Sequence, residues 1–141
     1  MRILHVEDHE ETAMAMGRLL ASGGHCVTTA STLADARRLC DAEPFDLLIC
    51  DLGLPDGDGC ALGASARARR IPAIAVTGFG AAEEVARTRS AGFSTHLLKP
   101  VTFEAVEAAI AQVTPPVVRP RASRSTQFST PGAAPVRRSV K

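Results

Sequence analysis

The stretch FDLLICDLGLPDGDG, Phe45 to Gly59, decides the fold. Phe45 to Cys50 is almost wholly apolar and reads as a buried strand. A carboxylate, Asp51, follows at once, and then a loop of Gly, Pro and Asp. Asp opens turns in many proteins, and Asp51 could do only that. The alternative puts Asp51 at the carboxyl end of a central strand, where open α/β sheets place their sites. The rest of the chain decides between the two.

Working outward, short apolar runs alternate with helical patterns. RILHV (2–6), HCVTTA (25–30), FDLLIC (45–50), IPAIAVT (71–77) and THLL (95–98) read as strands. Between and after them, 9–22, 33–42, 60–70, 81–91 and 102–113 read as helices. Glu10 and Glu11 crowd the first turn of the first helix, which suits its dipole. Ala13, Met16 and Leu20 share one face of that helix, and Gly23-Gly24 ends it. Ser31 or Thr32 caps the second helix. Phe103, Val106, Ile110 and Val113 recur at core spacing in the last. Five βα repeats predict a doubly wound five-stranded parallel sheet with helices on both faces. The near-continuous apolar strands fit a sheet covered on both sides.

The 141 residues are enough for one domain with a real core. Charge is unevenly spread. Residues 1–114 hold 15 acidic and 10 basic side chains, a net of −5, and 115–141 hold six basic and none acidic, +6. The expected organisation is a domain at 1–114 and a Pro/Arg/Ser-rich disordered tail or linker at 115–141. No apolar run approaches membrane-span length, and the N-terminus does not read as a signal peptide. Cys26, Cys40, Cys50 and Cys60 have neither metal-site nor disulfide-framework spacing, and read as reduced, mostly buried thiols of a cytoplasmic protein.

In a parallel sheet all carboxyl ends lie on one edge. Glu7 and Asp8 follow the first strand, Asp51 the third, Thr77 and Gly78 the fourth, and Lys99 and Pro100 the fifth. Three carboxylates, a hydroxyl and an amine therefore converge. Lys99 is the one Lys in the first 114 residues, where a compact ammonium stands instead of a planar fork. Clustered carboxylates repel one another. A hard cation such as Mg²⁺ relieves this, and takes carboxylates together with phosphate oxygens. The set suits phosphoryl transfer, with Asp51 as nucleophile and the metal and Lys99 holding the charge that develops.

The pieces ILHVEDHE, LLICDLGLPDGDG, AIAVTGFG and HLLKP, in this order and each at a strand end, resemble a response-regulator receiver domain across about 1–114. The resemblance implies the flavodoxin-like receiver fold and a two-component phosphorelay. It implies that Glu7 and Asp8 bind Mg²⁺, that Gly53 offers the metal a backbone carbonyl, and that Asp51 accepts a phosphoryl group from a phosphohistidine. Thr77 and Lys99 would contact the phosphate, and the Lys99–Pro100 bond is often cis in such domains. The implied partner is a sensor histidine kinase or histidine phosphotransfer protein, docking on the first helix at Thr12, Ala15 and Leu19 (i, i+3, i+7). ALGASARARR and GFSTHLLKP are most similar to the receivers of hybrid sensor kinases. The pattern departs in three places. The acidic pair is Glu-Asp, position 53 is Gly, and His96 stands where receivers carry the Tyr or Phe that moves with the switch residue, here Thr77. His titrates near neutrality, which predicts a pH-sensitive switch.

Rival readings are a receiver-like docking module that works without phosphorylation, a flavin mononucleotide-binding protein and a small aspartyl-phosphate hydrolase. The acidic edge repels a flavin phosphate, and Gly53 stands where such hydrolases need a second acid. DGDG lacks the spacing of a calcium loop, and GFGAAE misses the dinucleotide fingerprint. Asp56 and Asp58 read as turn and cap residues. His5, His9 and His25 have no ligand spacing and receive no role. With no output domain legible after residue 114, direct DNA binding is not expected.

Overall fold

The computed structural model describes residues 1–78 and 82–114. The basic segment 115–141, with the tail and domain boundary expected there, and residues 79–81 of GFGAAE lie outside the described residues.

The described elements are β1 (Arg2–Val6), α1 (Glu10–Ser22), β2 (Cys26–Ala30), α2 (Leu33–Ala42), β3 (Leu47–Asp51), β4 (Gly53–Leu54), β5 (Gly57–Asp58), α3 (Ala61–Ala68), β6 (Ala73–Thr77), α4 (Ala82–Ala91), β7 (Thr95–Leu98) and α5 (Phe103–Val113). Five strands form one parallel sheet in the order β2-β1-β3-β6-β7. The chain runs from β1 out to β2, returns past β1 to β3, and continues to β6 and β7. The topology therefore reverses between β1 and β3, the crevice where ligands of open α/β sheets bind.

Alternation along the strands divides the core in two. Leu4, Val6, Leu48, Cys50, Ala73 and Ala75 point to the face covered by α2 and α3. Ile3, Leu47, Ile49, Ile74 and Val76 point to the face covered by α1 and α5. Each fully buried Leu or Ile contributes about 1.5–3 kcal/mol of transfer free energy, and these strand residues are all but sealed from solvent. The faces read from helical spacing are the ones buried. Ala13 and Leu20 of α1 and Val106 and Ile110 of α5 lie inside, with Met16, Phe103 and Val113 packed partly buried against them.

Several boundaries differ from the sequence reading. Asp51 is the last residue of β3, not the first of a loop, and the strand starts at Leu47. Phe45 is buried before it. The loop after Asp51 holds a small antiparallel hairpin, β4–β5, that pairs Gly53 with Asp58 and Leu54 with Gly57. Helix α3 stops at Ala68, because Ile71 N–H returns to Ala66 O and Arg70 takes a left-handed conformation (φ 58°). Gly24 (φ 95°) follows α1, in a conformation that favours glycine. Thr32, not Ser31, caps α2 by accepting from Asp35 N–H. Cys40 and Cys50 are buried as expected and Cys60 is half-buried, but Cys26, on the outer strand β2, is exposed.

Candidate functional site

Each strand delivers its side chain to the carboxyl edge through the ladder that ends there. Glu7 N–H donates to Ala30 O, Leu52 N–H to Val76 O and Lys99 N–H to Thr77 O, at 2.9, 3.0 and 2.8 Å. These bonds lock the last turns of β1, β3 and β7 to their neighbours. Asp51 is thus held by the sheet, with only 5% of its surface exposed. Gly59 lies against it, and a Cβ there would stand 2.5 Å from Asp51 O and 2.9 Å from Cys50 Sγ.

The two oxygens of Asp51 have different partners. Oδ1 accepts from Gly53 N–H at 3.1 Å, and Oδ2 pairs with Lys99 Nζ at 2.6 Å. Glu7 is buried as well, and its Oε2 accepts from His9 N–H at 3.0 Å. Asp8 is exposed beside them. One oxygen from each of Glu7, Asp8 and Asp51 falls within 4.8 Å of the others. The Lys99–Pro100 peptide is cis. Thr77 is buried at the end of β6. A mouth of about 580 Å³ opens over these groups, walled by Asp8, Gly53, Thr77, Gly78, Lys99 and Arg87.

The electrostatics follow from this crowding. Burial pushes the Glu7 carboxyl above its usual value, the His9 N–H bond opposes this, and the charge of Asp51 adds to it. Burial works to lower the Lys99 pKa, but the hydrogen bond and charge of Asp51, with Glu7 and Asp8, carry it above the ordinary value. Lys99 therefore stays an ammonium. The acids outnumber it three to one, so the site retains a demand for positive charge. All-oxygen donors at this spacing fit a hard divalent cation of the Mg²⁺ type.

The structure brings together Glu7, Asp8, Asp51, Gly53, Thr77 and Lys99. His96 is not at the carboxyl edge but one row below it. It is partly buried on β7 opposite Ala75, one position before the Val76–Leu97 pair, and so shares a sheet face with Thr77. Thr12, Ala15 and Leu19 are all exposed on α1. Asp56 and Asp58 are caps, and Asp56 serves a distant helix. Its carboxylate accepts from Leu33 and Ala34 N–H, at the start of α2. Asp58 accepts from Cys60 N–H just before α3.

Sequence reasoning missed two residues. Arg87 of α4 pairs with Asp58 at 2.7 Å and with both oxygens of Glu84 at 2.9 Å, tying α4 to the loop beside the site. His5 points from β1 into the α1/α5 face, in register with Ile49, and is 5% exposed. Its alternation with Ile3 and Glu7 was the available signal. Burial lowers its pKa to about 4, against a smaller opposing pull from Asp51, so the ring is neutral at pH 7.

The family model described as response regulator receiver domain matches residues 3–111. Among curated proteins, the chain is 32% identical over 111 residues to the sensor histidine kinase RcsC of Escherichia coli. That match covers 76% of this chain and 12% of RcsC, so the chain spans a small part of that relative's length. Among solved structures, the non-phosphorylated HemR receiver domain of Leptospira biflexa is 29% identical with a TM-score of 0.74, over 85% of this chain and 98% of that one. A Burkholderia pseudomallei response regulator with a phosphorylated aspartic acid, calcium ion and citrate is 26% identical with a TM-score of 0.72, over 77% and 65% of the two chains. Sheet order, strand-end acids and a family match across nearly all of the described residues agree, and the chain belongs to the response regulator receiver domains of two-component systems.

Proposed function

We propose that this receiver is a phosphoacceptor, with Asp51 as the residue modified. The observation that carries the reading is the Asp51–Lys99 pair at 2.6 Å, set among the oxygens of Glu7 and Asp8. Asp51 Oδ2 attacks phosphorus, the bond from phosphorus to the donor imidazole nitrogen breaks, and that nitrogen keeps the electron pair. Lys99, already at Oδ2, meets the phosphoryl oxygens as negative charge gathers on them. Asp51 Oδ1 keeps its Gly53 N–H partner, so the carboxylate does not rotate. Thr77, at the mouth, takes a phosphoryl oxygen.

Glu7, Asp8, Asp51 and the Gly53 carbonyl would hold Mg²⁺, which supplies charge neutralisation at the phosphoryl oxygens. The donor is a phosphohistidine of a sensor histidine kinase or histidine phosphotransfer protein, docking on Thr12, Ala15 and Leu19. Thr77 and His96, on one sheet face, form the switch that passes the change to a partner protein. The domain occupies about 1–114 and signals through protein contacts in the cytoplasm. It is not a stand-alone kinase and makes no direct DNA contact. No helix among the described residues is long and apolar enough to cross a membrane.

Incubation with acetyl phosphate and Mg²⁺ should add one phosphoryl group by intact mass, and a chelator should prevent it. Full labelling in the presence of chelator would remove the metal from the account. His96→Ala should leave this labelling intact and alter output in a reconstituted relay. Equal loss of both would place His96 in the acceptor chemistry instead.

A further inference from the structure

On the sheet face covered by α1 and α5, a cavity of about 530 Å³ runs beneath the carboxyl edge. That volume is in the range that holds small organic molecules. Met16, Ile49, Val76 and Val106 give it apolar walls. The uncharged polar side chains on the lining are His5, His9 and Thr12, and of these His5 alone is buried. His5 is 5% exposed, and its Nδ1 is sealed from solvent with no hydrogen-bond partner among the described residues. The other ring nitrogen, Nε2, is not sealed in this way. The sealed, unpaired Nδ1 is costly. A valine or isoleucine would fill the same strand position without that cost.

The rim adds a charge filter. Glu7 and Asp51 line the cavity together with the single Lys99, so the lining carries an excess of negative charge that repels a carboxylate or phosphate. A molecule suited to the walls, this charge and the imidazole has an apolar body, no negative charge and a hydroxyl.

We propose that the cavity between α1 and α5 is a binding site for a small uncharged phenol- or alcohol-type molecule, whose hydroxyl pairs with His5 Nε2. Neutral imidazole offers a lone pair or an N–H there according to tautomer, and a hydroxyl answers either. The cavity shares Asp51 and Lys99 with the mouth over Thr77, so an occupant would bear on the acceptor. That consequence rests on the phosphoacceptor reading; binding itself does not.

The test uses the full chain with ¹⁵N-labelled histidine rings, followed by NMR while phenol is added. Toluene serves as the hydroxyl-free match, and benzoate as the anionic one. The His5 signals are those lost in His5→Leu, an apolar exchange on a buried strand. Phenol should shift the His5 ring saturably and bind roughly 5- to 10-fold more tightly than toluene, the effect of one neutral hydrogen bond. Benzoate should bind more weakly than phenol. In His5→Leu the preference for phenol over toluene should vanish. If that variant does not fold, the comparison of the three probes on the wild-type chain decides alone. Equal affinity for phenol and toluene, tighter binding of benzoate, or no saturable shift of the His5 ring would overturn the proposal.

Discussion

Replacing Gly59 by Ala tests how rigidly the sheet holds the acceptor. The added Cβ would stand 2.5 Å from Asp51 O, 2.9 Å from Cys50 Sγ and 3.0 Å from Leu52 Cα, where ordinary contact begins at 3.4 Å. The methyl group is therefore short of room by about 0.9 Å against Asp51, and Cys50 and Leu52 block a sideways escape. Gly59 N–H also donates to Leu52 O at 2.8 Å, so the loop cannot simply lift away. Overpacking of this kind costs about 1–3 kcal/mol. For a domain of this size that lowers the melting temperature by about 4–15 °C. The displaced end of β3 carries the carboxylate with it, and a misplacement near 1 Å costs a reaction on the order of 100-fold. Gly59→Ala should therefore label from acetyl phosphate about 10- to 100-fold more slowly. Thermal unfolding and a mass-resolved time course measure both effects. An unchanged melting temperature would show that Gly59 does not press on β3. A lower melting temperature with a wild-type labelling rate would break the link between strand position and acceptor chemistry.

Lys99→Arg should lose output in a reconstituted relay even where a good donor still labels it, because a guanidinium is too broad for the 2.6 Å position at Asp51 Oδ2; wild-type output would show that any cation serves. Ala15→Trp, on the exposed face of α1, should slow transfer from a partner phosphohistidine while leaving acetyl phosphate labelling unchanged, and equal slowing of both would make that face structural. Two backbone N–H bonds at α2 hold the Asp56 carboxyl below the ordinary value of 3.8. A depressed carboxyl pKa stabilises the fold above that value and loses its contribution as pH falls through the folded one. Melting temperature should therefore drop below about pH 4 less steeply in Asp56→Asn than in wild type, and parallel pH profiles would contradict the cap.

Much of this was legible in the sequence, and for identifiable reasons. A strand buried on both faces leaves an unbroken apolar run, so the ends of β3 and β6 were marked by their first polar residues, Asp51 and Thr77. The helix faces around Leu20 and Ile110 followed from periodicity alone. What stayed hidden depends on contacts that no local pattern encodes. Strands of two residues, as in β4–β5, carry no alternation. Asp56 caps a helix 22 and 23 residues earlier in the chain, and its own neighbours suggest only a turn. Helix α3 ends inside ARARR because Ile71 is drawn back to Ala66, although Arg and Ala favour helix. His5 was passed over because ligand spacing was sought for it, whereas its position in a doubly covered strand was what set it apart.

The central claim is that Asp51 is the acceptor, and one comparison bears on it most directly. Wild type and Asp51→Asn, each with acetyl phosphate and Mg²⁺, are read by intact mass while thermal unfolding confirms that both are folded. The account predicts a single phosphoryl addition on wild type and none on Asp51→Asn. A folded Asp51→Asn chain that gains the same mass would contradict it, and would move the acceptor to another residue.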